Sequence, residues 1–330
     1  MRCEMMPKEI FLDVTGRCNG RCLICARGAS NANIAACNWD ISRELWEASK
    51  PFVAAADFVD VTGYGEFLLS PIAEEILSFC AENKTPVHMC TNGTLLSGNV
   101  QMIKDTIGKF EHIILSIPSH HPELYEIFTG GLAFKKLESG LECISEIAKS
   151  VTVSHVIHSQ NLSYLPGFIV WYANSIKHEN RKLSIRPMIK MRSEHDAIML
   201  DLIPNMADRI LDDAAELRLR IGLTAHEIIL PHKFRDLNKA DRDTVPISTC
   251  PHPFRQLFIT RHGATKLCCD MPLFEHVNIF DYDNPQMLWS NPAFESLRAE
   301  LLRGEVPEQC AHCTNMEMTK PDFVSAYCAE

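Results

Sequence analysis

The 330-residue sequence lacks the long apolar run that a membrane-spanning helix needs. No stretch approaches the roughly 20 consecutive apolar residues that are required to cross a bilayer. The N-terminal segment MRCEMMPKEIF also lacks the apolar core of a secretory signal. We therefore expect no membrane association and a cytoplasmic location, where thiols stay reduced.

A block of basic residues is missing as well. The 32 lysines and arginines are scattered and are outnumbered by 42 aspartates and glutamates, which gives a formal net charge of −10. Proteins that follow a phosphate backbone concentrate positive charge on one surface. Nucleic acid is therefore not expected as a partner. The composition, with 46% hydrophobic and 22% charged residues, is ordinary for a globular protein. The sequence also contains no internal repeat and no low-complexity tract.

Cysteine, by contrast, is abundant, since the chain contains 14 of them. In a reducing compartment, grouped cysteines more often bind metals or take part in catalysis than form disulfides. The spacing of the cysteine groups therefore decides what chemistry they indicate.

Short apolar strands alternate with amphipathic helices over the first two thirds of the chain. This alternation predicts parallel βα units, and six of them indicate an α/β fold with a partial, TIM-like (β/α)6 parallel barrel. The chemistry of such a fold lies at the carboxyl ends of the strands. The predicted strands are Glu9–Thr15, Phe58–Thr62, Pro86–Cys90, His112–Ile117, Val151–Ile157 and Leu183–Arg186. The predicted helices are Ser42–Ala54, Ile72–Asn83, Leu137–Lys149, Tyr164–Lys177 and Pro204–Leu219.

A polar segment with little periodicity, residues 232–249, connects this core, residues 1–231, to a smaller C-terminal domain, residues 250–330. We expect the small domain to be of the α+β type. It is predicted to contain a hairpin with a His262-Gly263 turn and a following helix. The two hairpin strands and the helix are Gln256–Thr260, Thr265–Cys269 and Pro292–Arg303.

Three cysteines, Cys18, Cys22 and Cys25, follow the first predicted strand with the spacing C-x3-C-x2-C. Three thiolates on one short loop can ligate three irons of a [4Fe–4S] cluster and leave the fourth iron open to another ligand. Cys37, twelve residues further on, is the only nearby candidate for a fourth protein ligand. The alternatives are a chance grouping or a zinc site, which would need that fourth ligand.

The segment that carries these cysteines, CNGRCLIC, resembles the signature of the radical S-adenosylmethionine (radical SAM) superfamily. The resemblance implies an enzyme in which S-adenosylmethionine chelates the open iron and is reductively cleaved to a 5′-deoxyadenosyl radical. It also implies an electron donor such as flavodoxin or ferredoxin. The family usually has an aromatic residue just before the third cysteine, near the adenine, whereas this chain has Ile24.

A glycine-containing segment after the second predicted strand resembles the Gly-Gly-Glu element of the same family. It comprises Gly63, Tyr64, Gly65 and Glu66. The resemblance implies that its backbone and acidic side chain contact the amino group of the cofactor, and a backbone approach that close requires glycine. The alternative is a simple strand-to-helix turn.

Two further positions at strand ends match the family's cofactor-binding elements. Asn92 lies in Thr91-Asn92-Gly93-Thr94 after the third predicted strand, and Ser116 ends the fourth, where the family often has a ribose contact. Asn92 can equally serve a tight Asn-Gly turn. His155, near the end of the fifth strand, can point into the barrel or be a core histidine. Arg186, at the end of the sixth, can meet a carboxylate or form a structural ion pair.

Four cysteines of the C-terminal part form a second group, with Cys250 before the hairpin, Cys268 at its end, and Cys310 and Cys313 in a C-x2-C pair. Four thiolates make a complete ligand set for a [4Fe–4S] cluster, although a zinc knuckle would use the same residues. The arrangement resembles the Twitch domain, a shortened SPASM domain, and implies one auxiliary [4Fe–4S] cluster.

Cys269, next to a predicted ligand, is either an ordinary thiol or a hydrogen-atom donor to a substrate radical. Family members with one auxiliary cluster act on small sugar-like or nucleotide substrates. The resemblance therefore favours dehydrogenation, epimerisation or decarboxylation of a small sugar-like, aminocyclitol or sugar-nucleoside substrate, in natural-product or antibiotic biosynthesis.

Two other functions remain open. Peptide-modifying members of the family often carry a recognition domain ahead of the cysteine motif, and seventeen residues precede Cys18 here, so a peptide- or protein-modifying maturase is the second expectation. A non-catalytic iron–sulfur scaffold is the third, but such a protein has no need of the segment ending in Glu66.

Overall fold

The computed structural model of the chain describes residues 6–25, 38–187, 204–224, 227–229, 250–268, 274–282, 284–305 and 307–310. Strands and helices alternate through the first three of these ranges, as predicted. The strands are β1 (Glu9–Leu12), β2 (Phe58–Asp60), β3 (Val87–Thr91), β4 (His112–Ser116), β5 (Val151–Ile157), β6 (Arg181–Pro187), β7 (Ile228–Ile229), β8 (Gln256–Ile259), β9 (Ala264–Lys266) and β10 (Phe274–Asn278). The helices are α1 (Arg43–Ala55), α2 (Ala73–Asn83), α3 (Leu96–Thr106), α4 (Pro122–Thr129), α5 (Phe134–Glu142), α6 (Ile144–Ile147), α7 (Leu165–Ser175), α8 (Pro204–Arg220), α9 (Pro285–Trp289) and α10 (Pro292–Leu302).

All strands in the described ranges belong to one sheet, in the order β10-β9-β8-β1-β2-β3-β4-β5-β6-β7. Strands β1 to β7 run parallel to their neighbours. At the other side of β1, strand β8 pairs with it in parallel and continues into the antiparallel strands β9 and β10. Because β10 and β7 are the two ends of the order, the described sheet is an open barrel. The predicted α/β fold with a partial TIM-like barrel is confirmed.

Side chains of β1 alternate between the two faces of the sheet, as the period of a strand requires. Ile10 and Leu12 are completely buried in the core that the sheet forms with the surrounding helices. The ring of Phe11 lies on the opposite face, where it stacks on Phe258 of β8 with centroids 4.2 Å apart. We call this opposite face the inner face of the sheet.

An aromatic row crosses the inner face near the amino ends of the strands. After Phe258 and Phe11 it continues with Phe58, whose ring stacks on His88 at 4.0 Å, and His88 meets His112 edge-on at 5.7 Å. The row forms the floor of the open barrel. Side chains that also point to the inner face, but come later in each strand, therefore lie above this floor and nearer the carboxyl edge of the sheet.

Helix α1 shows how local sequence begins an element of the helical layer. The hydroxyl oxygen of Ser42 accepts a hydrogen bond of 3.1 Å from the backbone N–H of Leu45, which caps the helix N-terminus. Leu45 and Trp46 then bury their side chains almost completely in the core, where the Trp46 ring meets Phe79 of α2 edge-on at 5.4 Å. Burying side chains of this size contributes about 1.5–3 kcal/mol each.

The C-terminal hairpin forms between β8 and β9, as predicted, with Gly263 in the turn at a φ of +78°. The guanidinium of Arg255 donates a 2.7 Å hydrogen bond to the carboxylate of Glu9, which joins the hairpin to β1. The division into residues 1–231, 232–249 and 250–330 stays a prediction, and residues 232–249 lie outside the described part. None of the described helices combines the length and apolar character needed to cross a membrane.

Candidate active site

The three N-terminal cysteines lie on the loop that follows β1, residues 16–25, which we call the cysteine loop. Cys18, Cys22 and Cys25 are each partly exposed there. The backbone N–H of Cys25 donates to the carbonyl of Cys22 at 3.1 Å, and the N–H of Gly20 donates to Cys18 Sγ at 3.4 Å. All three thiols are therefore presented by one short, turned segment at the carboxyl edge of the sheet.

The donor set of the cysteine loop suits a [4Fe–4S] cluster in number and in chemistry, because thiolates are the usual protein ligands of such clusters. In the part of the chain that the structure describes, no three His, Cys, Asp or Glu side chains converge on one point as metal ligands. All three cysteine side chains are partly exposed and so are accessible to a cluster.

Helix α4 supports the cysteine loop from one side. The N–H groups of Arg21 and Leu23 donate to the carbonyls of Thr129 and Phe128 at 2.8 and 2.9 Å. Gly130, which ends the helix at a φ of +68°, allows this contact, since a Cβ there would lie 2.5 Å from the carbonyl oxygen of Arg21. The C-terminal end of α4 is therefore built against the backbone of the loop.

The segment after β2, residues 62–66, supports the loop from the other side, and we call it the glycine loop. A Cβ on Gly65 would lie 2.4 Å from the carbonyl oxygens of both Thr15 and Arg17. The N–H of Glu66 donates to the carbonyl of Arg17 at 2.7 Å, directly before Cys18. Glycine is therefore required at position 65 because two backbone segments meet there.

Gly63 makes a similar close approach to the end of β1. A Cβ at this position would lie 2.7 Å from Oδ1 of Asp13. Between the two glycines, the side chain of Tyr64 is 61% exposed. The loop thus presents an accessible ring above a backbone that is packed on β1.

The carboxylate of Glu66 is buried inside this arrangement. Its Oε1 accepts a hydrogen bond from the hydroxyl of Thr91 at 2.7 Å, and its Oε2 accepts one from the N–H of Asn92 at 3.0 Å. Burial raises the pKa of Glu66 to about 7, although the two hydrogen bonds oppose the shift. The side chain therefore joins the glycine loop to the segment after β3.

Three side chains link that segment back to the cysteine loop. The amide of Asn92 donates to Oδ1 of Asn19 at 2.9 Å, and the amide of Asn19 donates to the hydroxyl of Thr94 at 2.9 Å. The hydroxyl and the backbone N–H of Thr94 both donate to Oδ1 of Asn92. Asn19, Asn92 and Thr94 thus form a closed ring of hydrogen bonds beside Cys18.

Titratable side chains lie on the inner face below these loops. Burial raises the pKa of Asp13 to about 6, while the nearby cations of Lys266 and Arg261 act in the opposite direction. Burial raises the pKa of Asp60 as well, and it raises that of Cys90 to about 12. Burial thus disfavours the charged forms of these three groups, which lie on the inner face above the aromatic floor.

Three other predicted residues occupy different environments. Ser116 is exposed at the end of β4, and Ile24 is partly exposed in the cysteine loop. His155 is buried on the helical side of β5, where its Nδ1 lies 2.9 Å from the carbonyl oxygen of Ile117. His155 is therefore a core histidine, one of the two alternatives that its position in the sequence left open.

The C-terminal cysteines are described only in part. Cys250 is partly exposed, and Cys268, two residues after the end of β9, is buried. Cys310 is partly exposed and packs against the core, and its N–H donates to the carbonyl of Pro307 at 2.8 Å. Cys313 and Cys269 lie outside the described residues, so the four-cysteine site stays a prediction.

Sequence reasoning missed Asn19, Thr94 and Asp13 as site residues. Asn19 lies within the segment CNGRCLIC and Thr94 within Thr91-Asn92-Gly93-Thr94, but only the folded loops bring their side chains together. Asp13 is an acidic residue directly after an apolar strand. That position at the carboxyl end of β1 is a signal that could have singled it out.

Comparison with known proteins shows which proteins this chain resembles. Residues 12–171, which run from β1 into α7, match the Radical SAM superfamily. This part of the chain is therefore similar to a radical SAM domain, and the similarity supports an enzyme of that class. No curated protein matches the chain.

Solved structures share the fold at low sequence identity. SuiB of Streptococcus suis, in its complex with S-adenosylmethionine, is 15% identical with a TM-score of 0.62, over 89% of this chain and 68% of its own. The complex of SuiB with the precursor peptide SuiA is 14% identical with a TM-score of 0.63, over 89% and 67%. Histidine-tagged anSMEcpe with bound AdoMet is 16% identical with a TM-score of 0.62, over 93% and 83%.

Proposed function

We propose that Cys18, Cys22 and Cys25 hold a [4Fe–4S] cluster, and that the enzyme binds S-adenosylmethionine at the carboxyl edge of the sheet. The observation that carries the proposal is the cysteine loop itself, which presents three thiols between α4 and the glycine loop. When bound, the cluster supplies the electron that splits the sulfonium bond of the cofactor and yields a 5′-deoxyadenosyl radical. The cofactor complexes of SuiB and anSMEcpe, which share the fold, support this assignment.

The rim of this edge supplies the proposed cofactor contacts. The backbone of Gly63, Tyr64 and Gly65 would contact the cofactor, and the exposed ring of Tyr64 adds a surface for packing. Ser116, exposed at the end of β4, is available to a ribose hydroxyl, and Ile24 supplies an apolar contact for the adenine.

The substrate is proposed to be a small sugar-like molecule, an aminocyclitol or a sugar nucleoside. Support comes from the inner face, where Asp13, Asp60 and Cys90 lie above the aromatic floor. The positive charge of Arg186 opposes the rise in the pKa of Cys90. Hydroxyl and amino groups are suited to such a polar lining, because buried polar groups need hydrogen-bond partners. Hydrogen abstraction would lead to dehydrogenation, epimerisation or decarboxylation, in natural-product or antibiotic biosynthesis.

The second candidate is a peptide- or protein-modifying enzyme. The observation that favours it is the fold shared with SuiB bound to its precursor peptide and with anSMEcpe bound to the Cp18Cys peptide. An extended peptide could lie along the exposed rim that includes Tyr64 and Tyr164, which are 61% and 41% exposed.

We further propose one auxiliary [4Fe–4S] cluster on Cys250, Cys268, Cys310 and Cys313. Its role would be to accept or supply the electron that completes the reaction. A small electron-transfer protein such as flavodoxin or ferredoxin would reduce the first cluster, in the cytoplasm.

The test of the proposed function uses full-length protein that is reconstituted anaerobically with iron and sulfide. We expect electron paramagnetic resonance to reveal a reduced cluster whose signal shifts on addition of S-adenosylmethionine, and we expect 5′-deoxyadenosine to form with a strong reductant. Replacing Cys18, Cys22 and Cys25 with alanine should abolish both. Wild-type protein without a cofactor-sensitive signal would contradict the proposal.

The two substrate classes can be separated with the same protein. The rate at which 5′-deoxyadenosine forms should rise on addition of aminocyclitols or sugar nucleosides if the substrate is a small molecule. A rise with peptides alone would favour the second candidate instead.

A further inference from the structure

The hydrogen bonds around the cysteine loop assign roles to residues that the family resemblance leaves unassigned or assigns differently. The resemblance implies that Glu66 and Asn92 touch the cofactor. In the structure, both carboxylate oxygens of Glu66 accept hydrogen bonds from protein groups, and the side chain is only 2% exposed. Its polar atoms are already engaged within the protein.

The backbone of Glu66, like its side chain, is hydrogen-bonded to a neighbouring loop. The N–H of Glu66 donates to the carbonyl of Arg17, the residue before Cys18, at 2.7 Å. Gly65 brings the two backbones into contact, because a Cβ there would overlap the carbonyl oxygens of Thr15 and Arg17. Glu66 therefore sits with its backbone on the cysteine loop and its carboxylate on the segment after β3.

On the other side of Cys18, the hydrogen-bonded ring of Asn19, Asn92 and Thr94 connects the cysteine loop to the segment after β3. Oδ1 of Asn92 accepts from both donors of Thr94, and its amide nitrogen donates to Oδ1 of Asn19. The amide nitrogen of Asn19 donates a hydrogen bond of 2.9 Å to the hydroxyl of Thr94. Thr94 is buried, so these bonds are largely removed from competition with water.

We infer that Asn19, Glu66, Asn92 and Thr94 are positioning residues that lock the cysteine loop to the loops after β2 and β3. The inference rests on the proposed function, since it concerns the cluster that the loop is proposed to hold. Residues 17 to 19 are held at both sides of Cys18, by Glu66 before it and by the ring after it. The backbone on both sides of Cys18 is thus held in place by side chains that would not touch the proposed cluster.

This role makes a prediction that a cofactor-binding role does not. A residue that only contacts S-adenosylmethionine affects binding of the cofactor but not retention of iron in its absence. A residue that holds the cysteine loop affects retention of iron whether or not the cofactor is present. The lability of the cluster in cofactor-free protein therefore separates the two roles.

The experiment compares reconstituted full-length wild-type protein with the Asn19→Ala, Glu66→Gln, Thr94→Val and Thr94→Ser variants. Each is incubated without S-adenosylmethionine in an excess of a ferrous chelator, bathophenanthroline disulfonate. Timed samples are then reduced, the cofactor is added, and the cofactor-sensitive resonance is measured. This readout follows the first cluster even when an auxiliary cluster is present.

We expect the resonance to decay about tenfold faster in Asn19→Ala, Glu66→Gln and Thr94→Val, as the loss of one or two hydrogen bonds suggests. Thr94→Ser keeps the hydroxyl and should restore the wild-type rate. The matched control is Asn83→Ala, which removes an exposed asparagine whose amide bonds to Phe79 at the end of α2, and it should decay like the wild type.

Asn19 is exposed, so Asn19→Ala should fold normally, and this variant decides the question if Glu66→Gln does not fold. Wild-type decay rates in Asn19→Ala and Thr94→Val would overturn the inference while the proposed function stands. If Glu66→Gln then bound S-adenosylmethionine more weakly, Glu66 would be a direct cofactor contact. A wild-type protein without any cofactor-sensitive resonance would instead remove the proposed function, and the inference with it.

Discussion

The imidazole of His155 stacks on the ring of Phe168, with centroids 3.8 Å apart and planes inclined by 22°. This pair joins β5 to α7 in the core. The Nε2 atom of His155 is buried without a hydrogen-bond partner in the described part of the chain, as are Nε2 of His158 and Nδ1 of His120. An imidazole in this setting is stable only in its neutral form, because the charged ring would be desolvated.

The stability of the protein should therefore fall in mild acid. Burial lowers the pKa values of His120, His155 and His158 to about 4. In the unfolded chain a histidine titrates near its ordinary pKa of about 6.5. Between about pH 6.5 and pH 4 the unfolded state therefore binds more protons than the folded state, and the free energy of unfolding decreases as the pH falls. For fully buried His155, the loss in the free energy of unfolding between pH 8 and pH 5 is at most about 2 kcal/mol.

Urea unfolding of wild-type protein and His155→Phe at several pH values tests this. The variant keeps a ring on Phe168 but cannot take up a proton, so the difference between the two unfolding free energies should change by that amount between pH 8 and pH 5. Burial of Glu66 and Asp13 gives opposite slopes, but these are common to both proteins and cancel in the difference. Parallel pH curves would contradict the prediction.

Substitution of Gly65 should disturb the cysteine loop more than its small size suggests. In Gly65→Ala the new Cβ would meet two backbone oxygens at 2.4 Å, so either the glycine loop or the cysteine loop must move. We expect destabilisation by about 1–3 kcal/mol, the usual cost of overpacking, together with slower or incomplete cluster assembly. Thermal unfolding and iron content measure the two effects.

The matched control is Gly98→Ala in α3. A Cβ at Gly98 has no neighbour within 4 Å, and alanine favours a helix by about 0.5–1 kcal/mol over glycine. This variant should be as stable as the wild type or slightly more stable, with normal iron content. Equal behaviour of the two alanine variants would mean that the contact between the loops has no consequence for the site.

Much of the fold follows from periodicity. The seven residues of β5 alternate buried and partly exposed positions, and its bounds Val151–Ile157 agree with the prediction. The continuous helix predicted over Leu137–Lys149 is wrong, because the structure breaks it at Cys143, which ends α5 and begins α6. Helix α3 escaped prediction since it contains Gly98 and no side chain caps its start at Leu95.

The relations that define the site were harder to predict. That the cysteine loop and glycine loop share one edge follows from the parallel order of β1 and β2. The hydrogen bond between Asn19 and Thr94 spans 75 residues, and the contact of Arg255 with Glu9 spans 246. Such contacts depend on loop conformations and on strand order, which local patterns do not encode.

The C-terminal cysteines yield a prediction that is independent of the first cluster. Replacing Cys310 and Cys313 with alanine should remove about half of the iron, since one of two [4Fe–4S] clusters would be lost. Some cleavage of S-adenosylmethionine should remain, because the cysteine loop is intact. Iron and zinc analysis of both proteins measures this, and full iron retention, or zinc in place of the missing iron, would exclude the auxiliary cluster.

Cys269 can be tested as a hydrogen-atom donor once a substrate is found. In such a step the thiol S–H bond would break and a substrate C–H bond would form. The resulting thiyl radical would then take one electron, supplied through the proposed auxiliary cluster, and one proton from solvent. Cys269→Ala should still form 5′-deoxyadenosine but lose the product, and wild-type product made in deuterated water should carry one solvent deuterium. As a control, Cys143→Ala removes a partly buried thiol between α5 and α6 and should leave the product unchanged. Normal product from Cys269→Ala would show that this thiol has no part in the reaction.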